Sequence, residues 1–167
     1  TTVAVELWDL RNGRRMAGAG SYNRQAAFGD DVISRIIYAT ERPGGRKVLQ
    51  DAVVETVNEL TRQVLAEAGV SQDAIWAVTL AGNTTMMHLL LGVDPTYIRL
   101  EPYTPAANEW PRVAARDLGL AVNPRAVVYV LPGVASYVGG DITAGVVATG
   151  LHRREAVALF VDVGTNG

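Results

Sequence analysis

The last dozen residues hold the densest group of side chains able to do chemistry. Residues 156–161, AVALFV, are apolar, β-prone and of strand length. They run into Asp162-Val163-Gly164-Thr165-Asn166-Gly167, where apolar character gives way to Asp, Thr, Asn and two glycines. A carboxylate at a strand end can hold a hydrated divalent cation. Gly164 removes a side chain, so backbone N–H groups can approach a phosphate. Thr165 and Asn166 can add hydrogen bonds. The same residues also describe a strand followed by a polar turn, because Gly and Asn are ordinary turn residues.

Two more groups have comparable potential. Gly139-Gly140-Asp141 opens a small-residue helical run, residues 142–151, after the strand-like residues 126–131. Two glycines let the backbone come close to a ligand, and Asp141 presents a carboxylate at the helix start. Such a carboxylate can orient a nucleophile for phosphoryl transfer, in which positioning and electrostatics do most of the work; capping the helix is the alternative role. Gly82-Asn83-Thr84-Thr85 follows the strand-like residues 75–81 and precedes the short helix MMHLLLG. This places polar groups at the carboxyl end of a strand, where open α/β sheets bind ligands; Asn83 can equally be a helix cap. His88, inside that apolar helix, reads as a packed core histidine, and Met86 and Met87 as core filler. Asn23 and Gln25 sit in a non-periodic loop, where two amides can line a cleft or serve the loop itself.

The elements that must position these groups follow from periodicity. At the N-terminus Thr1 and Thr2 precede VAVELW, and a second strand-like stretch, RRMAGAGS, follows Asn12-Gly13. Asn-Gly supplies the positive φ angles of a tight β-hairpin. Asp30 and Asp31 precede VISRIIYA, a helix with acidic residues at its N-terminus. There Val32, Ile33, Ile36 and Ile37 make a buried stripe, and Asp31 and Arg35 are spaced to pair on the outer face. Glu41-Arg42-Pro43-Gly44-Gly45 is a break. Residues 47–68 predict the longest helix, with Leu49, Val53, Val57, Leu60 and Val64 on its inner face and Gly69 as its stop. Residues 94–124 carry five of the seven prolines and little periodicity. Within them, residues 112–118 suggest a short helix, and Tyr103, Trp110 and Pro111 a covering segment. An excursion of this length inside a domain is often functional.

The 167 residues suffice for one domain with a real core, and 49% hydrophobic against 19% charged residues excludes a disordered chain. A net charge of -2 gives no electrostatic case for nucleic acid or an anionic membrane. With no cysteine, disulfides, zinc–thiolate sites and iron–sulfur clusters are excluded within these residues. No transmembrane run is visible, and a cytoplasmic location is expected.

A Thr-Thr pair opening one hairpin and an Asp-x-Gly-Thr turn opening another are the pattern of the superfamily of sugar kinases, actin and the seventy-kilodalton chaperones. In that superfamily an Asp-x-Gly usually stands just before the first threonines, so here it is expected upstream of Thr1. The stretches TTVAVELWDLRNG, NRQAAFGDDVISRI, LAGNTTMMHLLLGVDPTYIRLEPYTP, LPGVASYVGGDITAGVVATGL and LFVDVGTNG, in order over nearly the whole chain, resemble one family of it. This is the C-terminal ATPase domain of the reductive activators of corrinoid proteins, which are ferredoxin-like and ATP-dependent. A more distant resemblance is to type III pantothenate kinases, in which the aspartate matching Asp141 is the base.

The resemblance implies an α/β domain of ribonuclease H-like, actin-type architecture, a mixed sheet with flanking helices. Residues 1–167 would form one subdomain, cut at both ends within phosphate-binding motifs and carrying the Pro-rich insertion 94–124. It implies ATP and Mg2+, with Thr1 and Thr2 in the first phosphate motif and Asp162, Gly164, Thr165, Asn166 and Gly167 in the second. Gly139, Gly140 and Asn83 would line the nucleotide, Asp162 would hold the metal, and Asp141 would hold the catalytic water or metal. The parent protein would use ATP to drive an electron from an N-terminal [2Fe-2S] domain onto cob(II)alamin, giving cob(I)alamin on a partner corrinoid protein of a methyltransferase system. Activators of this kind are often homodimers. Competing readings are a small-molecule kinase of the same superfamily and a non-enzymatic docking domain.

Overall fold

The computed structural model describes residues 2–162. Thr2–Asp9 (β1) and Arg14–Tyr22 (β2) form an antiparallel hairpin, paired from Thr2–Tyr22 to Asp9–Arg14 with a bulge at Leu7/Trp8. The turn is wider than the Asn-Gly dipeptide predicts. Gly13 takes the left-handed conformation (φ 67°) and Asn12 does not. The reason is Asp9, whose carboxylate accepts from the backbone and guanidinium of Arg11 and from the Asn12 amide, which builds a four-residue loop.

After β2 a 3-10 turn, Arg24–Phe28, replaces the irregular loop expected there. Asn23 and Gln25 do not line a cleft. Both are buried. Asn23 Oδ1 accepts from the Gln25 backbone N–H (2.9 Å), its Nδ2 donates to Gln25 Oε1 (3.2 Å), and Gln25 Nε2 donates to the Leu49 carbonyl (2.8 Å). The two amides clamp the turn onto the next long helix.

Val32–Glu41 (α1) begins at Asp31 with a capping box: Asp31 Oδ1 accepts from Ser34 N–H and Ser34 Oγ reaches back to the Asp31 N–H. Arg35 is not on the outer face, as the spacing suggested, but fully buried. Its guanidinium donates to the carbonyls of Gly29 and Asp30 and to Met86 Sδ. Backbone carbonyls and a thioether can satisfy a guanidinium inside the protein, so helical spacing alone gave the wrong side.

Gly45–Ala68 (α2) starts after the Pro-Gly break and ends at Gly69. Leu49, Val53, Leu60 and Val64 are buried as the stripe requires. This helix packs on β1, β2, α1 and the later helix Thr84–Leu91.

The second sheet holds Ala77–Leu80 (β3), the two-residue Val113–Ala114 (β4) and Val127–Val130 (β5), in order β3-β5-β4. β3 and β5 are parallel, Ala77 opposite Val127 through Leu80 opposite Val130, and β4 is antiparallel to β5. The helices are Thr84–Leu91 (α3), Thr96–Arg99 (α4) and Gly140–Ala148 (α5). The architecture is mixed α/β, with the hairpin and this mixed sheet as separate sheets among the described residues. The core lies between α2, α3 and the three-stranded sheet, with Val53, Met87, Leu90, Val128 and Val130 in one cluster.

Two further expectations are corrected. Residues 112–118 give β4 and a 3-10 turn, Ala115–Leu118, because Ala115 N–H bonds to the Ala126 carbonyl rather than within a helix. Residues 156–161 are not a strand. Strand composition becomes strand only where a neighbour supplies ladder bonds, and none of the described residues does so; Val157 and Leu159 are exposed.

The amide clamp is testable. Asn23→Ala removes the cap and leaves the Gln25 side chain short of a partner inside the protein. It should lower the free energy of unfolding by about 1–3 kcal/mol, measured by urea titration.

Candidate functional site

The parallel strands β3 and β5 end side by side, and each leads into a helix that starts at the same edge. After Leu80 the chain turns through Gly82 and Asn83 into α3; after Val130 it runs through the loop 131–139 into α5. The two helix starts are bonded directly, Asp141 N–H to the Gly82 carbonyl at 3.2 Å. Two helix N-termini meeting at strand carboxyl ends bring the positive ends of two dipoles to one edge, a setting suited to an anion.

Glycine makes this meeting possible. A Cβ on Gly139 would lie 2.6 Å from Asn83 Cα and Thr84 N, and one on Gly140 would lie 2.7 Å from the Leu131 carbonyl oxygen. The Gly-Gly step therefore lets two backbones touch each other, a use the sequence alone does not distinguish from approach to a ligand. The hydroxyl of Thr84 donates to the Ala135 carbonyl (2.8 Å) and that of Thr143 to the Pro132 carbonyl (2.7 Å), which ties the start and the middle of the loop 132–139 to the helices.

Asn83 is the N-cap of α3: its Oδ1 accepts from Met86 N–H at 2.8 Å. It stands at the edge where the two helices meet, half-buried. Asp141 is in the first turn of α5, not at the cap position, which Gly139 fills without a side chain. One Asp141 carboxylate oxygen accepts from Ile142 N–H at 2.9 Å, and the residue is half-buried. Asp162 is exposed. The segment leading to it lies along α5, with the Phe160 ring seated against Gly145. Thr2 begins β1. Thr1, Gly164, Thr165, Asn166 and Gly167 lie outside the described residues.

The carboxylates Asp141 and Asp162 suit magnesium, which takes one or two carboxylates and keeps phosphate and water oxygens for the rest of its shell. No group of three or more His, Asp or Glu that could cage a metal occurs among the described residues.

His88 is buried and structural, as its apolar helix suggested. Its Nδ1 lies 2.7 Å from the Thr84 carbonyl, which can only accept, so Nδ1 carries the proton and Nε2 the lone pair. The ring meets Trp110 edge-on, centroids 4.9 Å apart. Burial pushes the imidazole below its ordinary value, against a smaller raising influence of the Thr84 carbonyl. Trp110 belongs to the Pro-rich segment, which here packs on the core instead of lying loose over it.

Residues that sequence reasoning missed are Ser136, buried in the loop 132–139, and Asn108, whose carbonyl accepts from Gly133 N–H at 2.8 Å. Neither had a signal: a serine or asparagine among Pro and Gly reads as an ordinary turn residue.

The RACo middle region family matches residues 1–154. The chain is 35% identical over its whole length to the corrinoid activation enzyme RamQ of Eubacterium limosum, covering 28% of that protein. It is 55% identical to a solved reductive activator for corrinoid, iron-sulfur protein, with a TM-score of 0.97 over 99% of this chain and 26% of that one. The chain thus spans about a quarter of the length of the relatives it matches. No helix among the described residues is long and apolar enough to cross a membrane.

Two outcomes test this geometry. Gly139→Ala should destabilise the protein and separate the two helix starts, read as loss of hydrogen-exchange protection at Asp141. His88 is held neutral, so the unfolded chain binds its proton first as pH falls. Stability should drop below about pH 6.5, the ordinary histidine value. In His88→Leu the slope of unfolding free energy between pH 7 and pH 5 should be shallower.

Proposed function

We propose, from the premise that this chain belongs to the RACo middle region family, that it is part of an ATP-dependent activator that restores cob(I)alamin on a corrinoid protein. The observation that carries this reading is the likeness to a solved reductive activator at 55% identity over 99% of the chain. The relative from Eubacterium limosum, a corrinoid activation enzyme by name, supports it.

Within that activator the chain's share is the phosphate half of a nucleotide site in a ribonuclease H-like, actin-type domain. The support is the convergence of the α3 and α5 N-termini at the ends of β3 and β5, the arrangement in which α/β sheets bind phosphorylated ligands. The positive ends of the two helix dipoles, with Thr1, Thr2, Gly164, Thr165, Asn166 and Gly167, would face the phosphates. Asn83 fixes the turn that aims the α3 N-terminus. Asp141 orients the attacking water and accepts its proton as the bond to the terminal phosphorus forms and the bond from that phosphorus to the bridging oxygen breaks, with ADP leaving. Magnesium bound with the nucleotide would be held by Asp162 and would neutralise phosphate charge. Because phosphoryl transfer leaves little covalent work to the protein, the fixed backbone geometry of the two helix starts is the larger contribution.

The electron would come from a [2Fe-2S] domain outside these cysteine-free residues, and cob(II)alamin on the partner protein is the group reduced. A cytoplasmic location and a homodimer belong to the same proposal.

The test uses the full-length protein with and without a cob(II)alamin-loaded corrinoid protein. Magnesium-dependent ATP hydrolysis should rise when the corrinoid protein is added. It should fall about a hundredfold or more in Asp141→Asn, the loss typical of a removed general base, and collapse in Asp162→Asn. Hydrolysis indifferent to the corrinoid protein, with phosphate passed to a small molecule, would favour a kinase. No nucleotide binding at all would favour a docking domain.

A further inference from the structure

The Pro-rich segment 94–124 touches the site at a small number of defined points. Gly133 N–H donates to the Asn108 carbonyl (2.8 Å), and the buried Ser136 hydroxyl donates to the Tyr103 carbonyl. Both acceptors lie in the segment, and both donors lie in the loop that ends at Gly139-Gly140-Asp141. That loop is closed on itself: Val134 N–H bonds to the Val138 carbonyl at 2.7 Å, and Ala135 and Val138 form a β-bridge. A closed loop moves as a piece, so what holds Ser136 also holds the start of α5.

The acceptor side is held at an energetic cost. Tyr103 has φ 59°, and it is the one non-glycine residue with positive φ among the described residues. A tyrosine in that region is strained and persists only where its surroundings impose it. Its phenol is exposed, so the ring is not what imposes the conformation. Two backbone contacts use that conformation: Tyr103 N–H donates to the Leu100 carbonyl (2.7 Å), closing a turn, and the Tyr103 carbonyl is turned inward to Ser136.

We propose that Ser136 is a positioning residue for phosphoryl transfer, which braces the Gly139–Asp141 step against the Tyr103 carbonyl of the Pro-rich segment. The inference rests on the reading of Asp141 as the group that orients the attacking water. On this account the segment is neither a lid nor a spacer. It is a fixed wall, seated on the core through Trp110 and His88, against which the site is trued. Thr84 holds the loop from the α3 side and Ser136 holds it from the segment side.

The experiment measures steady-state ATP hydrolysis of the full-length protein at a temperature where circular dichroism shows every variant folded. Ser136→Ala should lower kcat by roughly three- to tenfold, as small misplacements of a catalytic group do, with KM for MgATP unchanged. Ser136→Thr, which keeps the hydroxyl, should retain kcat. Tyr103→Gly, which adopts positive φ freely and keeps the carbonyl, should retain it too. Unchanged kcat in Ser136→Ala, or an equal loss in Ser136→Thr, overturns the brace. A loss in Tyr103→Gly as large as in Ser136→Ala assigns the effect to the phenol and also overturns it. Asp141→Asn is run beside them. If it hydrolyses ATP normally, the reading of Asp141 fails and the brace with it; if it is inactive while Ser136→Ala is normal, the brace alone fails.

Discussion

The contact on which the site depends is between two stretches of backbone. Gly139 lies so close to Asn83 and Thr84 that a single methyl group would stand 2.6 Å from their main-chain atoms. A separation that short cannot be bridged by side-chain rearrangement, because backbone atoms cannot rotate away. It fixes the α5 start relative to the α3 start, and through them the carboxyl ends of β3 and β5. Everything polar at this edge is arranged from there. Asn83 caps one helix, Asp141 N–H bonds across to Gly82, and Thr84 reaches the loop that delivers the glycines.

The second dependence is on α2. It packs against both the hairpin and α3, so it joins the two sheets, which share no strand pairing among the described residues. Its contacts are made with more than aliphatic residues. Gln25 and Gln50 donate to backbone carbonyls of Leu49 and Leu90, and Asn58 bonds both Gly119 and Ala121. Such directed bonds fix rotation and register of a helix where a leucine stripe alone tolerates sliding. The ion pairs of Arg24 with Glu55 and Glu59 lie on its exposed side, where solvent leaves them little weight.

What was legible beforehand was whatever a single segment specifies. The α1 start was readable from Asp30-Asp31, α2 from its stripe, and β3 and β5 as apolar runs ending in turns. The site edge was legible because Gly-Asn-Thr-Thr and Gly-Gly-Asp each follow such a run. Arg35 was misread because burial of a guanidinium depends on which groups the fold brings near it, and Met86 comes from a helix some fifty residues beyond the Gly29-Asp30 turn. The purpose of Gly139 was ambiguous for a similar reason. A missing side chain marks close approach, but it does not say whether the neighbour is a ligand or another strand of backbone.

Residues 156–161 show where such reasoning has to change its object. Their composition is that of a strand, yet they carry no ladder, and Val157 and Leu159 face solvent. The outer face of the β3–β5 pair is similarly open at Val127 and Tyr129. A parallel pair is ordinarily covered on both faces, and a contiguous apolar surface left open is a common mark of contact with something else. The apolar pattern of 156–161 records a propensity, and no surface among the described residues covers Val157 or Leu159. Local propensity and tertiary pairing are separable, and the strand-like sequence records only the first. The relatives, of which this chain spans about a quarter, have ample further chain to supply the second. This also accounts for α5, whose small apolar residues bury little more than Gly140 among the described residues. Beyond Asp141 and Thr143, α5 consists of Gly, Ile, Ala and Val, so its later part offers water no polar side.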